Sequence, residues 1–194
     1  DLYKSCRHRL NHRKRPVGQC AKIKDRRSIH DRPKEADGSR FGDWEMDTIV
    51  GKDNTGAILT LTERKTNFVM MELLPKGKDA EALAMAAARL LEPYMRHIRT
   101  ITTDNGSEFA AHMLLTEKLH GVPIYFADPY SSWQKGAIEH ANKLIRQYIP
   151  KGTVFKELSA NAVKNIQFKL NRRPREKLLF ESPKTVFFRL LDAF

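Results

Sequence analysis

Hydrophobic and polar positions divide the chain near residue 41. From Asp1 to about Arg40 no hydrophobic period develops, and Arg-Lys-Arg-Pro at 13–16 and Asp-Arg-Pro at 31–33 interrupt the stretch further. This segment reads as a linker. Residues 44–50 then predict a strand, and Gly51-Lys52-Asp53-Asn54-Thr55-Gly56 predicts a hairpin turn. Strands follow at 57–62 and 67–74, both rich in β-branched or apolar residues. Pro75-Lys76-Gly77 ends that pattern, and Asp79 is placed to cap a helix that runs to Leu91 through Ala, Leu and Met. A short apolar strand at 99–103 ends on Asp104, and Asn105-Gly106 turns the chain into a helix over about 108–119, closed by Gly121. Residues 122–127 predict a fifth strand. Ser131 or Ser132 can cap a helix to about Tyr148, stopped by Pro150 and Gly152. A further helix covers about 160–170, and Ser182-Pro183 begins a short last one.

The resulting order, β-β-β-α-β-α-β-α with helices to follow, implies an α/β domain with a mixed five-stranded sheet flanked by helices. It is the element order of the ribonuclease H-like fold. A length of 194 residues suits one domain with a modest extension, and 41% hydrophobic residues suffice for a core. The division expected is a basic arm at 1–40 and a catalytic core at 41–194. Charge sharpens this picture. Of the formal net charge of +12, residues 1–34 hold 12 Lys/Arg against Asp1, Asp25 and Asp31, a balance of +9, and the remainder holds +3. A basic arm of this kind points to a polyanion as partner. No apolar run approaches the ~20 residues that span a bilayer, and Cys6 and Cys20 alone make no disulfide framework, so a cytoplasmic setting is expected. Cys6, His8, His12 and Cys20 match no tight zinc-finger spacing.

Three carboxylates fall where this architecture lets them meet. Asp47 lies inside the first strand, Asp104 ends the fourth, and Glu139 sits in the first turns of the helix after Ser132-Trp133. Adjacent strands run about 5 Å apart, and open α/β sheets place ligands at carboxyl strand ends. Hard divalent cations such as Mg²⁺ prefer oxygen ligands and are held by a few carboxylates with substrate phosphate and water. Each acid also has an ordinary explanation: a solvent-facing strand residue, an Asp-Asn-Gly turn, and a favourable charge near a helix N-terminus. Asp43 and Glu45 share the strand parity of Asp47. Glu45, and Glu108 four residues past Asp104, are candidates to support metal ligands from behind. Trp133 and Tyr130 flank the glutamate helix, where they can pack against its start or stack on a splayed base.

The stretches Phe41-Gly42-Asp43-Trp44-Glu45-Met46-Asp47, Thr103-Asp104-Asn105-Gly106-Ser107-Glu108-Phe109 and Tyr125-Phe126-Ala127-Asp128-Pro129-Tyr130-Ser131-Ser132-Trp133-Gln134-Lys135-Gly136 closely resemble insertion-sequence transposases of the IS-thirty family. So do Leu144-Ile145-Arg146-Gln147-Tyr148-Ile149-Pro150-Lys151-Gly152 and Leu170-Asn171-Arg172-Arg173-Pro174-Arg175. The resemblance runs in order from about residue 27 to 188. It implies a DDE transposase core in which Asp47, Asp104 and Glu139 hold two Mg²⁺ ions, with Mn²⁺ able to substitute. It further implies cleavage of DNA at terminal inverted repeats and joining of the freed 3′ end to target DNA. A homo-oligomer assembled on DNA and a nucleoid-associated setting in a bacterium are expected with it. The family's basic residue seven positions after its glutamate is here Arg146. Glu139, Lys143 and Arg146 also share a helix face. Lys143, Arg146, Arg172, Arg173 and Arg175 are the candidate DNA contacts, with Lys177 beside them. Family members carry an N-terminal helix-turn-helix region that recognises the repeats, and this chain is expected to begin after it. Two features depart from the family pattern: 34 residues lie between Asp104 and Glu139, one more than expected, and His140 replaces a common asparagine. A retroviral-type integrase or nuclease, or a DNA-binding fragment without activity, are the competing readings. Short inverted repeats rather than long terminal repeats in flanking DNA separate the first, and metal binding separates the second.

Overall fold

In a computed structural model, residues 23–74, 77–129 and 131–193 are described. The strands are β1 (Arg27–Ser28), β2 (Asp43–Val50), β3 (Ala57–Glu63), β4 (Val69–Leu74), β5 (Thr100–Thr103) and β6 (Ile124–Phe126). The helices are α1 (Ala80–Leu91), α2 (His112–Lys118), α3 (Gly136–Ile145), α4 (Ala160–Arg172) and α5 (Pro183–Asp192). They form one mixed sheet in the order β1-β6-β5-β2-β3-β4. β1, β6, β5 and β2 run parallel, while β3 and β4 continue antiparallel from β2. No helix among the described residues is long and apolar enough to cross a membrane.

Most expected elements form, and their caps follow from the sequence. Asp79 accepts from Ala82 N–H at α1, Ser159 from Ala162 N–H at α4, and Ser182 from Thr185 N–H at α5, where Pro183 opens the helix. Three expectations need correction. The sheet has six strands rather than five, because the segment read as linker supplies β1. Ile29 and Ala36 are buried there. Two isolated apolar residues dock the segment without producing a period. The helix expected from 108 begins only at His112, since Ser107–Phe109 forms a 3₁₀ turn that buries Glu108 and Phe109. The helix expected from Ser131 or Ser132 begins at Gly136, after a 3₁₀ turn over Ser132–Lys135, and Ser131 makes no capping bond. Residues 1–22, with Cys6, His8, His12 and Cys20, lie outside the described part, as does Tyr130.

The sheet is covered on both faces, as its apolar alternation requires. Trp44, Met46 and Leu61 face one side, where they join Leu83, Ala87 and Leu91 of α1, Leu115 of α2 and Phe187 of α5 in a single core. Phe187 is its centre, stacked on Phe68 at 4.2 Å and set edge-on to Phe41, Trp44 and Tyr94. Ile49, Ile58, Val69 and Met71 face the other side, against Ala141 and Ile145 of α3 and Val163, Ile166 and Leu170 of α4. Asp43, Glu45 and Asp47 share this second face with Ile49, since side chains alternate along a strand. Glu45 and Asp47 therefore reach α3, through Ile138 N–H and the Asn142 amide. Gly42 allows β2 to start close beside β5: at φ +96, a Cβ there would fall 1.9 Å from His97 O.

Candidate active site

The register of the central pair brings two of the three expected carboxylates together. β2 pairs with β5 in parallel, with Asp43 level with Thr100 and Glu45 level with Thr102. Two residues further along, the same register sets Asp47 level with Asp104, on the same face. Asp47 Oδ1 accepts from Thr48 N–H at 2.8 Å, and Asp104 Oδ1 accepts from Gly106 N–H at 2.9 Å. The outer oxygens share one cation. Lys135 Nζ lies 3.3 Å from Asp104 Oδ2 and 3.8 Å from Asp47 Oδ2, on a side chain that is only 7% exposed.

Helix α3 supplies the rest. Asn142 Nδ2 donates to Asp47 Oδ2 at 3.0 Å, while Asn142 Oδ1 is buried without a partner. Glu139 precedes Asn142 by three residues, so it shares the helix face that reaches Asp47. It is half-buried, and no hydrogen bond or ion pair joins it to either aspartate. Among the described residues, no three His, Cys, Asp or Glu side chains are gathered closely enough to hold a metal ion. The structure thus assembles Asp47 and Asp104 and leaves Glu139 beside them. Burial holds the Asp47 carboxyl above its ordinary range; Lys135 pulls it down, and Asp104 and Glu108 add to the upward push. The oxygen donors fit a hard divalent cation, because a cationic group already sits between them.

The two acids expected to play supporting parts do so differently. Glu45 is fully buried, accepts from Ile138 N–H at 2.7 Å, and lies 2.9 Å from Arg64 Nε. It ties the start of α3 to β2, one residue from Glu139. Its burial raises its pKa against the pull of that N–H and of Arg64 and Arg32. Glu108 accepts from Lys78 Nζ at 2.6 Å and Thr48 Oγ1 at 2.9 Å. Gly106 is needed between these carboxylates, since a Cβ there would meet Glu108 Oε2 at 2.5 Å and Asp104 Oδ1 at 3.1 Å. Asp43 is buried against Arg40 and Thr100 and faces no open space.

The basic candidates separate in the same way. Lys143 and Arg173 are exposed. Arg172 is exposed and lies over the Phe168 ring at 4.0 Å. Arg146 is engaged elsewhere: its guanidinium donates to Val50 O, Ile149 O and Pro150 O, locking the end of α3 to the end of β2. Arg175 donates to Leu170 O and is half-buried. Lys177 donates to Arg64 O at 2.8 Å. Trp133 does not pack at the helix start; it is 74% exposed and lines a cleft of about 380 Å³ with Arg64, His140 and Lys177. His140 is on that side, where partial burial and then Arg175, Lys143 and Lys177 depress its pKa.

Lys135 and Asn142 were not singled out by the sequence reading. The signal was present in their spacing, four residues before and three after Glu139. It becomes informative only once α3 is known to lie across β2.

Residues 39–132 match the Integrase core domain family. The transposase for insertion sequence element IS4351 of Bacteroides fragilis is 44% identical over 171 residues, covering 88% of this chain and 52% of that protein. Over residues 39–132 the chain has an integrase core domain, and along most of its length it is similar to insertion-sequence transposases. Transposase InsI for insertion sequence element IS30A of Escherichia coli (strain K12) is 34% identical to this chain over 187 residues, covering 95% of the chain and 48% of that protein. The chain spans about half the length of the curated relatives it matches. The catalytic core domain of BIV integrase superposes with a TM-score of 0.61 at 20% identity, over 78% of this chain and 97% of that one. That likeness establishes the ribonuclease H-like fold. An integrase-type core implies divalent metal use in general.

Proposed function

We propose that this DDE core cuts DNA at the terminal inverted repeats of an insertion sequence and joins the freed 3′ ends to target DNA, acting as a homo-oligomer assembled on the DNA in a bacterial cytoplasm. Asp47, Asp104 and Glu139 are the residues that would hold the metal. Two Mg²⁺ ions bound there, with Mn²⁺ as a substitute, supply activation of the attacking oxygen and stabilisation of the leaving one in an in-line phosphoryl displacement. The chain's own residues prepare the site. The β2–β5 register sets Asp47 beside Asp104, and the Thr48 and Gly106 N–H groups fix one oxygen of each. Glu45 holds the first turn of α3, and Arg146 its last, so the helix that carries Glu139 is clamped to β2 at both ends. Lys143, Arg172 and Arg173 offer exposed cations to DNA phosphates. Residues 1–40, anchored to the sheet through β1, act as a basic arm that adds sequence-independent attraction, and residues 41–194 carry the chemistry.

The alignment of Asp47 with Asp104 around one shared cation supports this reading most directly. The test is a strand-transfer assay with the element's ends supplied and Mg²⁺ present. Asp47→Asn, Asp104→Asn and Glu139→Gln are each expected to lose more than the roughly 10- to 100-fold typical of groups that merely support a ligand, with circular dichroism unchanged. Wild-type activity in any of the three overturns its assignment as a metal ligand.

A further inference from the structure

The Lys135 ammonium stands where a divalent cation would be expected to stand. It bridges the outer oxygens of Asp104 and Asp47 at 3.3 and 3.8 Å, and its side chain is 7% exposed. Burying an ammonium is costly unless it is paired, and here the pairing is with both aspartates of the candidate site. The benefit is mutual. Two carboxylates facing each other without a cation would repel. Lys135 also occupies a junction in the backbone. It ends the 3₁₀ turn Ser132–Lys135 with φ −122 and ψ 46, outside the helical region, and Gly136 after it opens α3. A Cβ on Gly136 would meet nothing within 4 Å. The backbone at this junction is thus not tightly enclosed.

Resting on the metal-dependent reading above, we infer that Lys135 is a built-in counter-cation: it keeps Asp47 and Asp104 assembled in the metal-free protein, and a divalent ion must displace it to bind. Two cations cannot share the same pair of oxygens at these distances without strong repulsion. Metal affinity in the absence of DNA is therefore set by competition with a tethered ammonium. Asn142 serves the opposite purpose. Its amide N–H holds Asp47 Oδ2 without adding charge, and its unpartnered Oδ1 remains a spare acceptor. Asp47 thus receives one charged and one neutral contact, and only the charged one opposes metal.

The experiment is calorimetric titration of the whole metal-free chain with Mn²⁺, without DNA, on wild type, Lys135→Gln and Lys135→Arg. Thermal melts are recorded with and without the ion. Lys135→Gln is expected to bind Mn²⁺ on the order of tenfold more tightly. It should also melt lower than wild type without metal and gain more on Mn²⁺ addition. Lys135→Arg, which keeps the charge, should bind close to wild type and shows that the gain is not a by-product of altered packing. Equal or weaker Mn²⁺ binding by Lys135→Gln overturns the inference while leaving the metal reading intact. Absence of Mn²⁺ binding in wild type and both variants overturns the two together. Parallel titration of Asp104→Asn locates the site, and unchanged binding there also counts against the inference, because the ion would then lie away from Lys135.

Discussion

Glu108 receives Lys78 Nζ at 2.6 Å and Thr48 Oγ1 at 2.9 Å, and so joins three separate parts of the chain: β2, the residue before the α1 cap, and the turn after Asp104. Its burial would raise its pKa, yet the Lys78 hydrogen bond and charge, with Thr48, leave it below its ordinary value of 4.5. A carboxylate depressed on folding contributes stability above its unfolded pKa and loses it as pH falls through the folded one. Lys78→Met should therefore be destabilised at neutral pH, and its deficit relative to wild type should shrink as pH is lowered through the carboxylate range. Urea midpoints measured from pH 7 down to pH 3 check this. A deficit that stays constant with pH would show that Lys78 acts by packing alone. Glu45 and Glu63 carry the opposite sign, because burial dominates both. Their contribution favours the fold at low pH and fades as pH rises, so only the Lys78 comparison isolates Glu108.

At the scale of elements, the exposed edge of the sheet shows how α4 is used. β4 is an edge strand, and its outward N–H and C=O groups would otherwise invite another strand. Asn171 Oδ1 accepts from Val69 N–H at 2.8 Å and its Nδ2 donates to Val69 O at 2.7 Å, while Gln167 Oε1 accepts from Met71 N–H at 2.7 Å. Two side chains four residues apart on α4 thus imitate a neighbouring strand. Asn171→Leu keeps the volume and strands both backbone groups of Val69, which should cost about 1–3 kcal/mol. The check is equilibrium urea unfolding with the m-value compared. A change within about 0.5 kcal/mol, the range of ordinary surface substitutions, would show that water replaces the amide. Asn171 also marks the limit of what was legible. The strands β2 to β6 and helices α1, α4 and α5 follow from alternation, caps and breakers, which are local. Asp47 and Asp104 could be seen as strand residues that meet, because parallel register is a simple geometric rule. Asn171, Lys135 and Asn142 act across elements, and a buried amide on a helix has the same sequence pattern as an exposed one. The contacts of Arg146 were illegible for this reason: the carbonyls of Val50, Ile149 and Pro150 converge on it only in the folded chain. β1 was missed because two residues cannot establish a period.

For the whole molecule, the distribution of charge matters more than its sum. Of the net +12, +9 belongs to residues 1–34, while the body is close to balance. The described root of this segment is fixed next to the site: Arg26 hydrogen-bonds Asn105, the residue after Asp104, and β1 pairs with β6. On the proposed function, the cations of residues 1–34 contribute contacts to DNA phosphates. Each phosphate neutralised releases condensed counterions, and binding then weakens with salt at a logarithmic slope of about −0.9 per contact on duplex DNA. The exposed body cations and the arm should contribute separately to that slope. Replacing Arg13, Lys14 and Arg15 together by Gln is expected to make the slope shallower by roughly 2 to 3 units, and Lys143→Gln by about 1. Both should act alike on related and unrelated sequences, since phosphate contacts carry no base information. Fluorescence anisotropy across a salt series, with a terminal-repeat duplex and a scrambled one, measures both quantities. An unchanged slope in the triple variant would place binding on the body alone. A loss confined to the repeat duplex would instead make the arm a reader of sequence, a role that Arg and Lys can take only by reaching base edges in a groove.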